Sequence, residues 1–406
     1  MSRAQLQVDN KFRYRGKAIM MHKVLLTSLL AATAAITTLS VDAKPPGLEP
    51  AAKKELRKAG VNKYVGKFTP AGKPESMGGW NKYTYDSEGG NGPICIDGSD
   101  FTVFHEQKAA KDVLIVLDGG GACVQNSYQC SLTANSTAPT GGIFDDGFDA
   151  VGIDNPFENY SKVFISYCDG SVFTGDNEVV DPNFALATGA ETDRRYHRGL
   201  RNLTAGLDLA RDLHPNAKRV VLSGISAGGY GVSAFAPSVY RFVFPPAADL
   251  FVLNDSGPSL SSPTFGAVQQ DFDWQFAQFY PKSCGDCDVV PGSDQGAFIK
   301  WTLENDNGYK GALYSTDGDI VIRGFTFLSD PADYRDLLLG VHEPINAMYP
   351  DRYKLFIRGD AQEHTVLGNP GFYFFQADGV PFYQWASEFV EGGDGWVNIV
   401  EAGANP

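Results

Sequence analysis

The chain has 406 residues, 43% of them hydrophobic and 20% charged, with 34 Lys and Arg against 48 Asp and Glu. This composition reads as globular and is ample for one large core, or at most two domains. The excess of acid disfavours nucleic acid and anionic membrane surfaces as partners, and beyond the N-terminal region no apolar run reaches the ~18 residues a membrane span requires.

In chain order, Met21-His22-Lys23 leads into the apolar run "VLLTSLLAATAAITTLS", and "VDA" at 41–43 resembles a small-residue cleavage site. Residues 1–43 are therefore expected to be a secretory signal, with 1–19, ahead of Met20 and Met21, read as a start-site artefact. Removing residues 1–43 takes away six Lys or Arg and two Asp or Glu, leaving 28 against 46 and a net charge of −18 in place of −14. The mature chain is expected outside the cytoplasm, extracellular or periplasmic, with no membrane span. Residues 44–78 read as a lead-in segment holding one short helical pattern, "AAKKELRKAG", and 79–406 as a single catalytic domain.

Within that domain "FTVFHEQ" (101–107), "VLIVLDGGG" (113–121) and "KVFISYCDG" (162–170) are strand-like, and residues 192–213 carry leucines at helical spacing. "RVVLSGIS" reads as a strand and "AGGYGVSAFAPSVYRF" as a helix opening on small residues. "ADLFVLNDSG", "KGALYSTDGD" and "YKLFIRGD" add short strands, separated by helical stretches that include 332–349, with 381–392 as a final helix. Short apolar strands alternating with helices predict an α/β fold with a mostly parallel central sheet covered by helices on both faces.

Six cysteines, Cys95, Cys123, Cys130, Cys168, Cys284 and Cys287, lie behind the expected signal, an even count that points to disulfides in an oxidising compartment. Cys284-Gly-Asp-Cys287 could also suggest a redox or zinc site. No second C-x-x-C and no paired histidine accompanies it, so a loop-closing disulfide is the preferred reading and no metal is expected.

The chemistry gathers around Gly224-Ile225-Ser226-Ala227-Gly228. A serine hydroxyl is a poor nucleophile without a positioned base. A strand–turn–helix elbow flanked by glycines lifts such a serine clear of the sheet, and the apolar strand before it and small residues after it supply that context. The alternative is a tight turn whose serine caps a helix. In this arrangement the acid and then the histidine follow the serine in the chain. His22 lies in the signal, His105, His197 and His214 precede the serine, and His342 sits in a leucine-rich helical pattern. His364, in the polar loop after "YKLFIRG", is the candidate base. For the acid, Asp319 is preferred, with Asp317 and Asp255 as alternatives. The oxyanion that forms during acyl transfer needs backbone N–H donors: one is expected from the loop of Gly119, Gly120 and Gly121, another from Ala227. A glycine-rich loop could instead bind phosphate, but no Lys-Ser/Thr completes one here.

The motifs "CIDGS", "LDGGGAC…C", "NPFENYSKVFISYCDGSVFTGD", "YHRGLRN" and "LSGISAGGYG" occur in order, and from about residue 93 to 260 the chain resembles the pectin acetylesterase/Notum family of secreted serine hydrolases. The resemblance implies an α/β-hydrolase-like fold and a triad of Ser226, Asp319 and His364. It implies oxyanion donors at Gly121, Ala122 and Ala227, and disulfides Cys123–Cys130 and Cys95–Cys168. Ala122 departs from the pattern, because relatives usually place a tryptophan there; the missing indole enlarges or reshapes the acyl or sugar side of the site. The expected function is a secreted serine esterase that needs no cofactor and removes acyl groups, most simply acetyl, from a polysaccharide such as pectin or from small esters. The rival readings are a carboxylesterase acting on longer acyl esters and a catalytically idle carbohydrate-binding descendant.

Overall fold

The structure, a computed structural model, describes residues 46–87, 90–109, 111–148, 152–245, 249–260, 266–290, 293 and 296–403; the expected signal at 1–43 lies outside the described residues. Ten strands form its central sheet: β1 (Glu75–Met77), β2 (Trp80–Tyr85), β3 (Phe101–Glu106), β4 (Val113–Leu117), β5 (Ser161–Ile165), β6 (Arg219–Ile225), β7 (Asp249–Asp255), β8 (Tyr309–Thr316), β9 (Tyr353–Arg358) and β10 (Ile399–Val400). Their spatial order is β1-β2-β3-β5-β4-β6-β7-β8-β9-β10. The first three pair antiparallel, β3 joins β5 antiparallel, and every pairing from β5 to β10 is parallel. This is an α/β-hydrolase-like fold.

The parallel strands read as continuous apolar runs because both faces are covered. All five residues of β4 are buried, and they alternate between two cores: Val113, Ile115 and Leu117 join one cluster, Leu114 and Val116 the other. The helices that matter below are α1 (Pro50–Ala59), α2 (Gly199–Leu213), α3 (Ala227–Ser233), α4 (Ala236–Val243), α5 (Gly266–Trp274), α6 (Ile320–Thr326), α7 (Pro331–Met348) and α8 (Phe382–Glu391). Leu200, Leu203 and Leu207 on one side of α2 enter the first core, whereas Phe382, Trp385 and Phe389 of α8 fill the second. The lead-in segment contributes directly: α1 buries Ala52 and Leu56 in the first core, and β1 is the edge strand of the sheet.

Two predicted helices differ from the structure. The stretch 192–213 divides into a strand, Arg194–His197, paired antiparallel with Asn177–Val180, and α2, which begins only at Gly199. A period of two governs that strand, because Arg195 and His197 point inward and are fully buried. Arg195 is held between two buried carboxylates, donating to Asp181 at 2.9 Å and to Asp273 of α5 at 3.2 Å. The stretch 227–242 also breaks, into α3 and α4. Pro237 lies in the first turn of α4, where its fixed φ and missing N–H suit a helix start and not an interior.

Replacing Arg195 with Ala would leave Asp181 and Asp273 buried without their cation. Urea unfolding should then show a loss of about 3–5 kcal/mol; a variant as stable as wild type would show that the ion cluster contributes nothing to the fold.

Candidate active site

Ser226, Asp319, His364 and the glycine loop all follow the carboxyl ends of parallel strands, the edge at which open α/β sheets place their ligands. Ser226 follows β6 directly and precedes α3. Its backbone is at φ 54°, ψ −113°, a conformation that costs a non-glycine residue on the order of 1–3 kcal/mol. The turn is feasible only because its neighbours lack side chains. A Cβ on Gly224 would run into the Gly228 carbonyl, and one on Gly228 into the Leu117 carbonyl at the end of β4. The Ser226 N–H donates to the Asp255 carbonyl at 2.8 Å, tying the elbow to β7.

His364 lies on the loop after β9, with Nε2 2.7 Å from Ser226 Oγ and Nδ1 2.7 Å from Asp319 Oδ2. A carboxylate only accepts, so Nδ1 carries the proton and Nε2 is left to accept from the serine hydroxyl. Asp319 is fully buried, and its other oxygen accepts from the N–H groups of Val321 at 2.9 Å and Ile322 at 3.0 Å, capping α6. The two alternative acids bond to other groups. Asp317 pairs with Arg335 of α7 at 2.8 Å and accepts from the N–H groups of Asp360 and Ala361, each at 3.2 Å. Asp255 accepts from Val366 N–H at 2.9 Å and Leu367 N–H at 2.8 Å; burial raises its carboxyl to about 6. Both therefore fasten the loop that carries His364, one on each side of it.

The remaining described histidines are held elsewhere. His342 is buried in α7, donating through Nε2 to the Pro258 carbonyl at 2.7 Å and facing the Tyr353 hydroxyl at 2.8 Å; burial lowers it to about 4. His197 faces Arg195, and His105 and His214 face each other at 2.9 Å.

The glycine loop after β4 packs against Ser226: a Cβ on Gly119 would lie 3.1 Å from Ser226 Cβ. Gly121 (φ 77°) opens a hairpin, Gly121–Val124 paired with Ser127–Cys130, whose two strands the Cys123–Cys130 disulfide joins. Disulfides also link Cys95 to Cys168 and Cys284 to Cys287. Gly121, Ala122 and Ala227 line one cavity with Ser226, and Ala227, the first residue of α3, has no intrahelical acceptor for its N–H. The cavity has a volume of about 430 Å³. Ala122, Val124, Val172, Leu260, Ile322 and Phe325 give it apolar walls, and residues of α5 and α6 flank it.

Three supports of this loop were not singled out in the sequence. Asp118, the residue before the glycines, accepts from the Gly119 N–H at 2.8 Å; burial raises its carboxyl to about 7, against the opposing pull of its hydrogen bonds. The Tyr167 hydroxyl donates to the Gly121 carbonyl at 2.8 Å, and Trp274 Nε1 donates to the Cys123 carbonyl at 2.8 Å. The position of Asp118 against the glycine triplet was the one signal available; Tyr167 and Trp274 lie 46 and 151 residues from the groups they hold. Among the described residues no group of three or more His, Cys, Asp or Glu is placed to hold a metal, and no helix is long and apolar enough to cross a membrane.

Residues 81–283, half of the chain, match the profile of the family described as Pectinacetylesterase. The chain belongs to the pectinacetylesterase family. Pectin acetylesterase 11 of Arabidopsis thaliana is 28% identical over 178 residues, 41% of this chain and 42% of that protein. Pectin acetylesterase 5 of the same plant is 31% identical over 183 residues, 42% of this chain and 40% of that protein. Palmitoleoyl-protein carboxylesterase notum1a of Danio rerio is 31% identical over 155 residues, 36% of this chain and 29% of that protein. The matches thus span less than half the length of these relatives. The profile of the pectinacetylesterase family takes in the glycine loop and Ser226, whereas Asp319 and His364 lie beyond the matched residues.

Asp118 generates a pH prediction. Its folded value, about 7, lies above the ordinary carboxylate value of about 4. Its contribution to stability is therefore full below about pH 4 and is lost as pH rises through about 7. Asp118→Asn removes that loss, so the melting temperature of the variant relative to wild type should rise between about pH 5 and about pH 8. A difference independent of pH would contradict the assignment.

Proposed function

We propose that this protein is a secreted serine esterase that removes acetyl groups from a polysaccharide by way of an acyl-enzyme. Ser226 Oγ attacks the ester carbonyl as His364 Nε2 takes its proton; Asp319 holds the imidazole tautomer and stabilises the imidazolium. The N–H groups of Gly121, Ala122 and Ala227 receive the oxyanion. Collapse of the tetrahedral intermediate expels the alcohol, which takes the proton from His364. Water, activated by the same imidazole, then releases acetate and regenerates Ser226. The observation that carries this reading is the unbroken hydrogen-bond chain from Ser226 through His364 to Asp319, at 2.7 Å for each link, on a strained elbow. An idle binding module would have no use for that strain. The choice of acetyl and of a polysaccharide follows the names of the Arabidopsis relatives.

A second reading, hydrolysis of longer acyl esters, is favoured by the cavity. Its volume of about 430 Å³ falls in the range of sites for drug-sized ligands, about 300–1,000 Å³, and far exceeds the need of an acetyl group. Either a sugar ring or a long acyl chain fills it, and the small side chain of Ala122 leaves room for both.

Ser226→Ala should lower turnover of p-nitrophenyl acetate by about 10⁶ and Asp319→Asn by about 10⁴, with unchanged far-UV circular dichroism. His364→Ala should be as inactive as Ser226→Ala, and His342→Ala should keep its triad; full activity in the Ser226 variant ends the proposal. A series of p-nitrophenyl acetate, octanoate and palmitate separates the two readings. Acetate should be preferred by about tenfold or more in kcat/KM. A palmitate optimum would transfer the cavity to the acyl chain.

A further inference from the structure

We propose that Arg195 is a positioning residue for ester hydrolysis: by way of Asp181 and Asp273 it holds the hairpin that carries Gly121 and Ala122 in place beside Ser226. The inference rests on the serine-esterase reading above and adds to it a residue that does not touch substrate. The Cys123–Cys130 disulfide ties the two hairpin strands to each other, which sets the shape of the hairpin and not its placement. Placement comes from bonds to the body of the protein. The Gln125 N–H donates to Asp273 Oδ2 at 2.6 Å, and the Tyr128 hydroxyl donates to Asp181 Oδ2 at 2.7 Å. Trp274, next to Asp273 in α5, donates to the Cys123 carbonyl, and the Cys123 N–H donates to the Gly170 carbonyl at 2.9 Å.

Arg195 joins the two carboxylates that accept from the hairpin. Its Nε donates to Asp181 Oδ2 at 2.9 Å, and Nη1 and Nη2 reach the two oxygens of Asp273 at 3.2 and 3.3 Å. All three side chains are buried, and Arg195 does not line the cavity. Nη1 also donates to His197 Nε2 at 2.8 Å, which leaves the His197 proton on Nδ1, facing the Asp169 carbonyl at 3.1 Å. Burial, with the charge of Arg195, lowers His197 to about 3, so His197 stays neutral from mildly acidic pH upward. Without the guanidinium, two buried carboxylates have no cation between them and must take up a proton, admit water or move. Each of these changes weakens the bonds to Gln125 and Tyr128, and the hairpin loses its seat beside the serine. Lysine does not repair the loss, because an ammonium is a point charge without the planar fork that spans two carboxylates.

The test is Arg195→Lys, assayed on p-nitrophenyl acetate with the number of working sites counted by titration with a fluorophosphonate. A misplacement of about 1 Å costs on the order of 10²-fold in rate, so turnover per counted site is expected to fall by about that factor. Acylation and deacylation each pass through an oxyanion, so kcat and kcat/KM should fall together with KM little changed. The pH profile should keep its inflection, because Ser226, His364 and Asp319 are untouched. Tyr128→Phe removes one bond to the hairpin and leaves the ion cluster intact; it should lower the same two constants by less. It decides the matter should Arg195→Lys fail to fold. Wild-type turnover per site in folded Arg195→Lys overturns the inference whatever its melting temperature, since lost stability alone lowers the number of working sites and not the rate at each. Where the Lys variant does not fold, wild-type turnover per site in Tyr128→Phe overturns it equally. A shifted inflection assigns the loss to the triad and also overturns it. A wild-type protein inert toward p-nitrophenyl acetate removes the parent reading, and the inference falls with it.

Discussion

The backbone of Ser226, held at φ 54°, is the constraint on which the arrangement of the site depends. It exists because β6 ends against two neighbours at distances that leave no room for side chains. Gly224 approaches Gly228, and Gly228 approaches the end of β4. The same close approach lets α3 start at once, which leaves the Ala227 N–H without an intrahelical acceptor, and brings the glycine loop alongside the serine. Relaxing the elbow would therefore displace the hydroxyl, one free N–H and the loop together. Strain of this kind persists only where packing over-determines it, and here the strands on both sides of β6 do so.

Carboxylates organise the rest of the site. Asp118, Asp255, Asp317 and Asp319 all stand at the carboxyl ends of parallel strands, and each accepts backbone N–H groups. Three of them bear on the histidine loop. Asp317 fixes its beginning, Asp255 its end, and Asp319 the imidazole between. Rigid support of this sort determines whether a base stays within hydrogen-bond reach of its nucleophile. The acids differ in partner: Asp317 meets Arg335, whereas Asp255, fully buried, and Asp118, half-buried, meet backbone amides and are pushed up by desolvation.

Much of this was legible in the sequence, because local patterns report local structure. The apolar runs of β4 and β6, the glycines around Ser226 and the strand before His364 each express a period or a turn requirement within ten residues. Asp317 and Asp319 could not be separated that way, since both follow β8 and the choice depends on a loop 45 residues later. The strand at Arg194–His197 was hidden in a helical leucine pattern because its inward positions are Arg and His, which periodicity arguments count as polar; only the distant Asp273 makes them buriable. The cavity was illegible for the same reason. Its walls come from the hairpin, α5 and α6, and no local pattern announces that Gln129, Gln269 and Ile322 share a surface. Ala122 was visible as a departure, but its effect is a matter of volume, which only the assembled site defines.

The central claim is that Ser226 is a nucleophile activated by His364. Treating the protein with a fluorophosphonate and mapping the adduct by peptide mass spectrometry tests it without assuming any substrate. The account predicts a single phosphonyl adduct on Ser226, formed fast in the native protein and lost when the protein is denatured before labelling. A folded protein that remains unlabelled, or an adduct on another residue, would contradict it.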